Sequence, residues 1–159
     1  MSLTSLAVPR EERFFEDYVP GAVYEFAETV TLSEEDITAF SRQYDPQYFH
    51  TDPVRAADSI YKGLIASGAH TISATFRLFV PNFLPGKASC GSPGLDEVRW
   101  LKPVRPGDVL RLRLTIVDAM PSRSRSDRGT VAFFAETINQ KDEVVMSFKG
   151  LNIFLKRNA

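Results

Sequence analysis

Asp45 and His50 stand five positions apart in the stretch Tyr44-Asp45-Pro46-Gln47-Tyr48-Phe49-His50-Thr51-Asp52-Pro53. A carboxylate and an imidazole are the side chains most often used to move protons near neutral pH. Pro46 and Pro53 keep the stretch from forming one continuous helix, so the chain can turn both side chains toward one point. Such a pair can hold a water molecule, take a proton from it and deliver one elsewhere. The same spacing also accommodates a purely structural arrangement, with Asp45 ending a helix and His50 serving as a hydrogen-bonded loop imidazole.

Helix ends frame the pair. Ser33 is an N-cap residue with Asp36 three positions on, and Glu34 and Glu35 complement the helix dipole, so a helix is predicted to start there. Its apolar stripe is Ile37, Phe40 and Tyr44, and Pro46 ends it at Asp45. Asp52-Pro53 repeats the starting pattern and predicts a short helix through Val54 and Ala57 toward Ile60. After the break at Lys62-Gly63, Ser67-Gly68 leads into a helix over 69–80 with a stripe of Ala69, Ile72, Phe76 and Phe79, widened by Leu78 and Val80 and stopped by Pro81. This is the helix with the most apolar surface to bury.

Strands surround these helices. Tyr24, Phe26, Val30 and Leu32 share one face of an alternating run, which predicts a half-buried strand after the Pro20-Gly21 turn. Val98, Trp100 and Val104 suggest a strand interrupted at Pro103, with Trp100 in the core, at a subunit interface or along an acyl tunnel. Leu110, Leu112, Leu114 and Ile116 alternate with polar neighbours, and 131–138 and 144–155 read as a further strand pair. The Arg-rich 121–129 segment reads as an exposed hairpin tip. Strand, helices, then antiparallel strands is an α+β order, with one apolar helix against a curved sheet. Residues 1–13 are expected to form an N-terminal lead-in, and 14–159 a single domain.

The composition narrows the function classes. With 159 residues, 43% hydrophobic and 25% charged, the chain has enough apolar surface for one core. A net charge of −1 offers no long-range attraction for nucleic acid or an anionic membrane. Two His and one Cys are too few for a conventional zinc site, so no metal is expected. Cys90 has no intrachain partner, 1–10 lack the apolar run of a secretory leader, and no stretch approaches a membrane span, which together predict a soluble protein of a reducing cytoplasm. His70 lacks a partner at suggestive spacing and is expected to pack, and Ser67 to cap a helix.

Asp45-Pro46-Gln47-Tyr48-Phe49-His50, followed by Asp52, resembles the Asp-x-Asn-Pro-x-His motif of the MaoC-like dehydratase and (R)-specific enoyl-CoA hydratase family. Gln47 stands where that family usually has Asn, and Tyr48 where Pro is frequent. Ile65-Ala66-Ser67-Gly68 resembles the family's entry to its central helix, with Ser67 in place of a common His. A serine found deeper in that helix in close hydratase relatives falls at Phe76. Residues 94–108, ending in Pro106-Gly107-Asp108, resemble the family's strand-turn-strand segment. The similarity covers most of the chain.

The resemblance implies the hot-dog fold, a curved antiparallel sheet wrapped around a central helix. It also implies a hydro-lyase that reversibly adds water to a trans-2-enoyl-CoA to give a (R)-3-hydroxyacyl-CoA. Asp45 and His50 would activate the water, and the Gly68 N–H would take up negative charge on the thioester oxygen at a helix N-terminus. No metal or redox cofactor is implied. The implied partners are an acyl-CoA thioester substrate and a second copy of the chain, as a homodimer or a dimer of dimers. Two other functions fit the same fold: hydrolysis of the thioester, marked by release of free thiol, and a non-catalytic acyl-binding or structural subunit, marked by binding without turnover.

Overall fold

The chain is described by a computed structural model over residues 3–4 and 6–158; Met1, Ser2 and Ser5 of the lead-in and Ala159 lie outside the described residues. Strand β1 (Val23–Glu25) and the short β2 (Val30–Thr31) come first. Helices α1 (Glu34–Tyr44), α2 (Tyr48–Thr51), α3 (Pro53–Ala57) and α4 (Gly68–Phe83) follow. Strands β3 (Gly94–Trp100), β4 (Val109–Pro121), β5 (Arg128–Ile138) and β6 (Val144–Leu155) complete the chain. The sheet is antiparallel in the order β1-β4-β5-β6-β3, with β2 also paired to β4. With α4 packed on it, this is the α+β hot-dog architecture.

Alternation in the sequence explains why the sheet has one dry face. Leu110, Leu112, Leu114 and Ile116 of β4 are all buried, while Arg111, Arg113 and Thr115 between them are only partly so. Phe133 and Phe148 from the paired β5 and β6 meet Phe79 and Phe83 of α4 in one aromatic cluster. Emptying a single buried Phe position of this kind costs about 3–5 kcal/mol, so the cluster fixes the helix on the sheet.

Four sequence expectations are corrected. The strand over 24–32 is split, because residues 26–29 leave the sheet between β1 and β2. α3 ends at Ala57, leaving Ile60 88% exposed beyond it. Pro81 does not stop the central helix, which continues to Phe83 with Pro81 inside it. Pro81 has no N–H for the Arg77 carbonyl one turn back, a lost bond that the helix carries, while the carbonyls at its C-terminal end find donors elsewhere in the chain. The Tyr18 hydroxyl donates to the Phe83 carbonyl at 2.6 Å, Arg13 to Asn82 at 2.7 Å, and Arg10 to Leu84 at 3.1 Å. Burial pushes the Tyr18 phenol far above its ordinary range, so it remains a protonated donor.

The fourth correction concerns the buried face of α4. Thr71 and Thr75 lie deep in the protein, whereas Ala69 and Val80 are exposed. The threonines are tolerated there because each hydroxyl is satisfied: Thr71 donates to the Ser67 carbonyl at 3.1 Å and Thr75 to the Thr71 carbonyl at 2.9 Å. The Thr75 oxygen also lies 2.7 Å from the Thr137 hydroxyl on β5, a buried polar tie between helix and sheet. Among the described residues, no helix is long and apolar enough to cross a membrane.

Candidate active site

The first residue of the pair is placed by the way α1 starts and stops. Ser33 Oγ accepts from the Asp36 N–H at 3.0 Å, and the Asp36 carboxylate accepts from the Ser33 N–H at 2.9 Å, the reciprocal box read from the sequence. At the other end Asp45 is the C-cap: its N–H still donates to the Ser41 carbonyl at 2.9 Å, but its φ of −153° and ψ of 72° leave the helix. Pro46 enforces that exit. The Gln47 N–H then donates to the Asp45 carbonyl at 2.8 Å, closing a tight turn into α2.

His50 lies within α2, and its ring is buried. A helix of one turn between two prolines was not foreseen from the sequence, since four residues are too few to display a period. The strand-like segment 64–66 runs beside it. The Ile65 N–H donates to the Phe49 carbonyl at 3.1 Å, and the Ala66 N–H donates to the Val104 carbonyl at 2.8 Å. Between those two bonds the Ile65 carbonyl faces His50 Nδ1 at 2.8 Å. A carbonyl only accepts, so Nδ1 carries a hydrogen, and Nε2 is the ring nitrogen left for the cleft.

That nitrogen faces Asp45. Nε2 and Asp45 Oδ2 are 3.4 Å apart, too long for a strong direct hydrogen bond and close enough for both to contact one water molecule. The other carboxylate oxygen, Oδ1, accepts from Gln47 Nε2 at 2.9 Å. Gln47, a departure from the motif, therefore holds the carboxylate with its amide, leaving Oδ2 for chemistry. Phe49 packs edge-on against the imidazole, with ring centroids 4.5 Å apart, and closes one side of the site.

Gly68 opens α4 on the wall of the same cleft, a cavity of about 650 Å³ that also takes in Asp45, His50 and Trp100. That volume lies within the range of small-molecule sites. Ser67 caps the helix: its Oγ accepts from the His70 N–H at 3.1 Å. As the first residue of the helix, Gly68 has an N–H with no partner inside α4, at the positive end of its dipole. His70 packs instead of facing the cleft, stacked on Phe40 with centroids 4.3 Å apart and an interplanar angle of 4°. Burial pushes its imidazole below the ordinary value, with Asp36 pulling the other way. Asp45, His50 and Gly68 thus line one cleft.

Trp100 lies outside the core. Of the places its sequence position allowed, the core is ruled out, since it is 55% exposed, and it lines the cleft. A register shift between Asp96 and Arg99, with Glu97 at a φ of 49°, breaks the alternation and turns the indole toward Gly68. Nothing in the sequence marks a bulge at a glutamate. Among the described residues, no three His, Cys, Asp or Glu side chains cluster closely enough to hold a metal ion.

Comparison with known proteins shows the family and the fold. A family model described as "MaoC like domain" matches residues 16–137. An uncharacterised Bacillus subtilis protein, YdeM, is 29% identical over 89% of this chain and 98% of its own. Mesaconyl-CoA hydratase from Cereibacter sphaeroides is 30% identical over 92% of this chain, which spans only 42% of that enzyme's length. The crystal structure of a MaoC-like dehydratase from Rhodospirillum rubrum superposes with a TM-score of 0.84 at 36% identity, covering 91% of this chain and 98% of that one.

Proposed function

Because the chain belongs to the MaoC-like domain family, we propose that it catalyses reversible hydration of a trans-2-enoyl thioester, giving the (R)-3-hydroxyacyl thioester, with coenzyme A as the carrier. The observation that carries this reading is the fixed His50 ring: with Nδ1 committed to the Ile65 carbonyl, Nε2 and Asp45 Oδ2 converge at 3.4 Å on one cleft. One water bound between them adds its oxygen to the β-carbon while its proton passes to the pair. The pair supplies the proton that the α-carbon takes up, so no net proton is gained or lost. Negative charge that builds on the thioester oxygen is taken up by the Gly68 N–H, fixed at a helix N-terminus before the substrate arrives. The likeness to a hydratase of a coenzyme A ester supports the substrate class. A homodimer continuing the sheet at its β3 edge belongs to the same proposal.

The test is a spectrophotometric assay with crotonyl-CoA and longer enoyl-CoA esters. The absorbance of the conjugated thioester is expected to disappear without release of free thiol, and chiral analysis of the product is expected to give the (R)-alcohol. His50→Gln removes Nε2 and is expected to lower kcat by about 10²–10⁴-fold. Free thiol in place of hydration would assign thioester hydrolysis. Tight binding with no turnover at any chain length would assign a non-catalytic acyl-binding subunit.

A further inference from the structure

We propose that Trp100 is the positioning residue of the oxyanion-binding turn and a wall of the thioester subsite, so that Trp100 and Gly68 operate as one unit. The inference rests on the hydratase reading for its kinetic test, and on the structure alone for its geometry. The indole Nε1–H donates to the Gly68 carbonyl at 3.1 Å, across 32 positions of sequence. The ring lies so close over Gly68 that a β-carbon there would fall 2.5 Å from Cε2 and 2.8 Å from both Cζ2 and Nε1. Gly68 is not among the residues in the left-handed region, so its backbone conformation does not call for glycine. Close approach of the indole does.

The indole is itself anchored. The Glu97 carboxylate receives the Lys149 ammonium at 2.7 Å, which braces the bulge that aims Trp100. Immediately after it, the Leu101 and Lys102 N–H groups both donate to the Val145 carbonyl, at 2.8 and 3.2 Å. A large aromatic side chain held at its backbone and at its ring nitrogen, yet more than half exposed, presents a rigid open face. That face borders the cleft containing Asp45 and His50. Oxyanion stabilisation depends on donors fixed before charge develops, and the ring clamps the carbonyl side of Gly68 while its N–H side stays open. The role is positional, because the indole acts through Gly68 and has no proton to exchange at neutral pH.

The test uses the full chain and four variants: Trp100→Phe, Trp100→Ala, Gly68→Ala and the Gly68→Ala/Trp100→Ala double. With crotonyl-CoA, Gly68→Ala is expected to lower kcat about 10²-fold by displacing the ring. The double variant is expected to match Trp100→Ala and exceed Gly68→Ala, since the steric conflict is gone. Trp100→Phe keeps a ring against Gly68 but not the donor, and is expected to lower kcat about 3- to 10-fold with KM within about twofold of the parent. Independent, multiplicative effects in the double variant, or a Gly68→Ala variant as active as the parent, overturn the unit. So does a Trp100→Phe loss that appears in KM alone, and that variant decides the matter even if Gly68→Ala does not fold.

A second readout needs no turnover. Trp100 is the chain's one tryptophan, so titration with butyryl-CoA, which cannot be hydrated, is expected to change its emission. Calorimetric binding of butyryl-CoA with emission unchanged overturns the wall. An emission change with no turnover of enoyl-CoA esters of any chain length overturns the hydratase reading and upholds the wall. Turnover without coupling between positions 68 and 100 overturns the unit and leaves the reaction standing.

Discussion

Asp45→Asn separates chemistry from scaffolding. Asp45 is the C-cap of α1, where the dipole leaves its negative end, and its side chain is 27% exposed. A carboxylate there is unfavourable by about 0.3–1 kcal/mol. Asparagine keeps an oxygen to accept from Gln47, so the turn retains that bond in a neutral, weaker form. The two changes oppose each other and are of similar size, so the net effect on unfolding free energy is expected to lie within about 0.5 kcal/mol of zero. For a chain of this size, that is a Tm within about 2 °C of the parent. In the site, the amide can only turn its NH2 or its oxygen toward Nε2, and neither group accepts a proton from water. Loss of one partner in proton transfer is expected to lower kcat by about 10²–10⁴-fold, or about 2.7–5.5 kcal/mol of barrier. The assay pairs crotonyl-CoA hydration with calorimetric melting of the same preparation. A variant that keeps its activity refutes the catalytic role, and one that loses activity and several degrees of Tm together shows Asp45 to be structural.

Two further perturbations test the supports of the site. Ser33→Ala breaks the box that starts α1 and is expected to lower stability by about 1 kcal/mol with kcat unchanged; in the same variant the Asp36 carboxyl, held below its ordinary range first by the Ser33 hydroxyl, is expected to titrate higher by NMR. His70 supplies a pH dependence: a ring neutral in the folded chain below its ordinary 6.5 takes up a proton on unfolding, so stability is full above that value and falls as pH drops toward the lower folded value. His70→Phe keeps a flat ring on Phe40 and is expected to show a smaller fall in Tm from about pH 7.5 to about pH 5.5; an identical fall in both proteins removes His70 as its source.

Local signals were sufficient wherever the partner group lies within a turn or two of sequence. Ser33 and Asp36 announced α1, Pro46 ended it at Asp45, Asp52 caps α3 by accepting from the Val54 and Arg55 N–H groups, and period-two alternation marked the buried face of β4. Spacing alone put Asp45 and His50 within reach of each other. It could not choose between a proton-transfer pair and a structural turn, because the choice depends on what each side chain meets.

Those encounters are tertiary. The hydrogen on His50 Nδ1 is set by the Ile65 carbonyl, 15 residues away, and the ring that a β-carbon at position 68 would meet belongs to Trp100, 32 residues away. A proline commonly stops a helix, but α4 runs past Pro81, and Tyr18, Arg13 and Arg10, all distant in sequence, hold the carbonyls of its last residues and C-cap. A sequence encodes the period and the breaks of each element, since these depend on neighbouring backbone units. Which distant carbonyl satisfies an imidazole, or which ring closes over a bare Cα, is decided only when the sheet and α4 pack, so the chemistry of this cleft was legible in its residues and fixed by its fold.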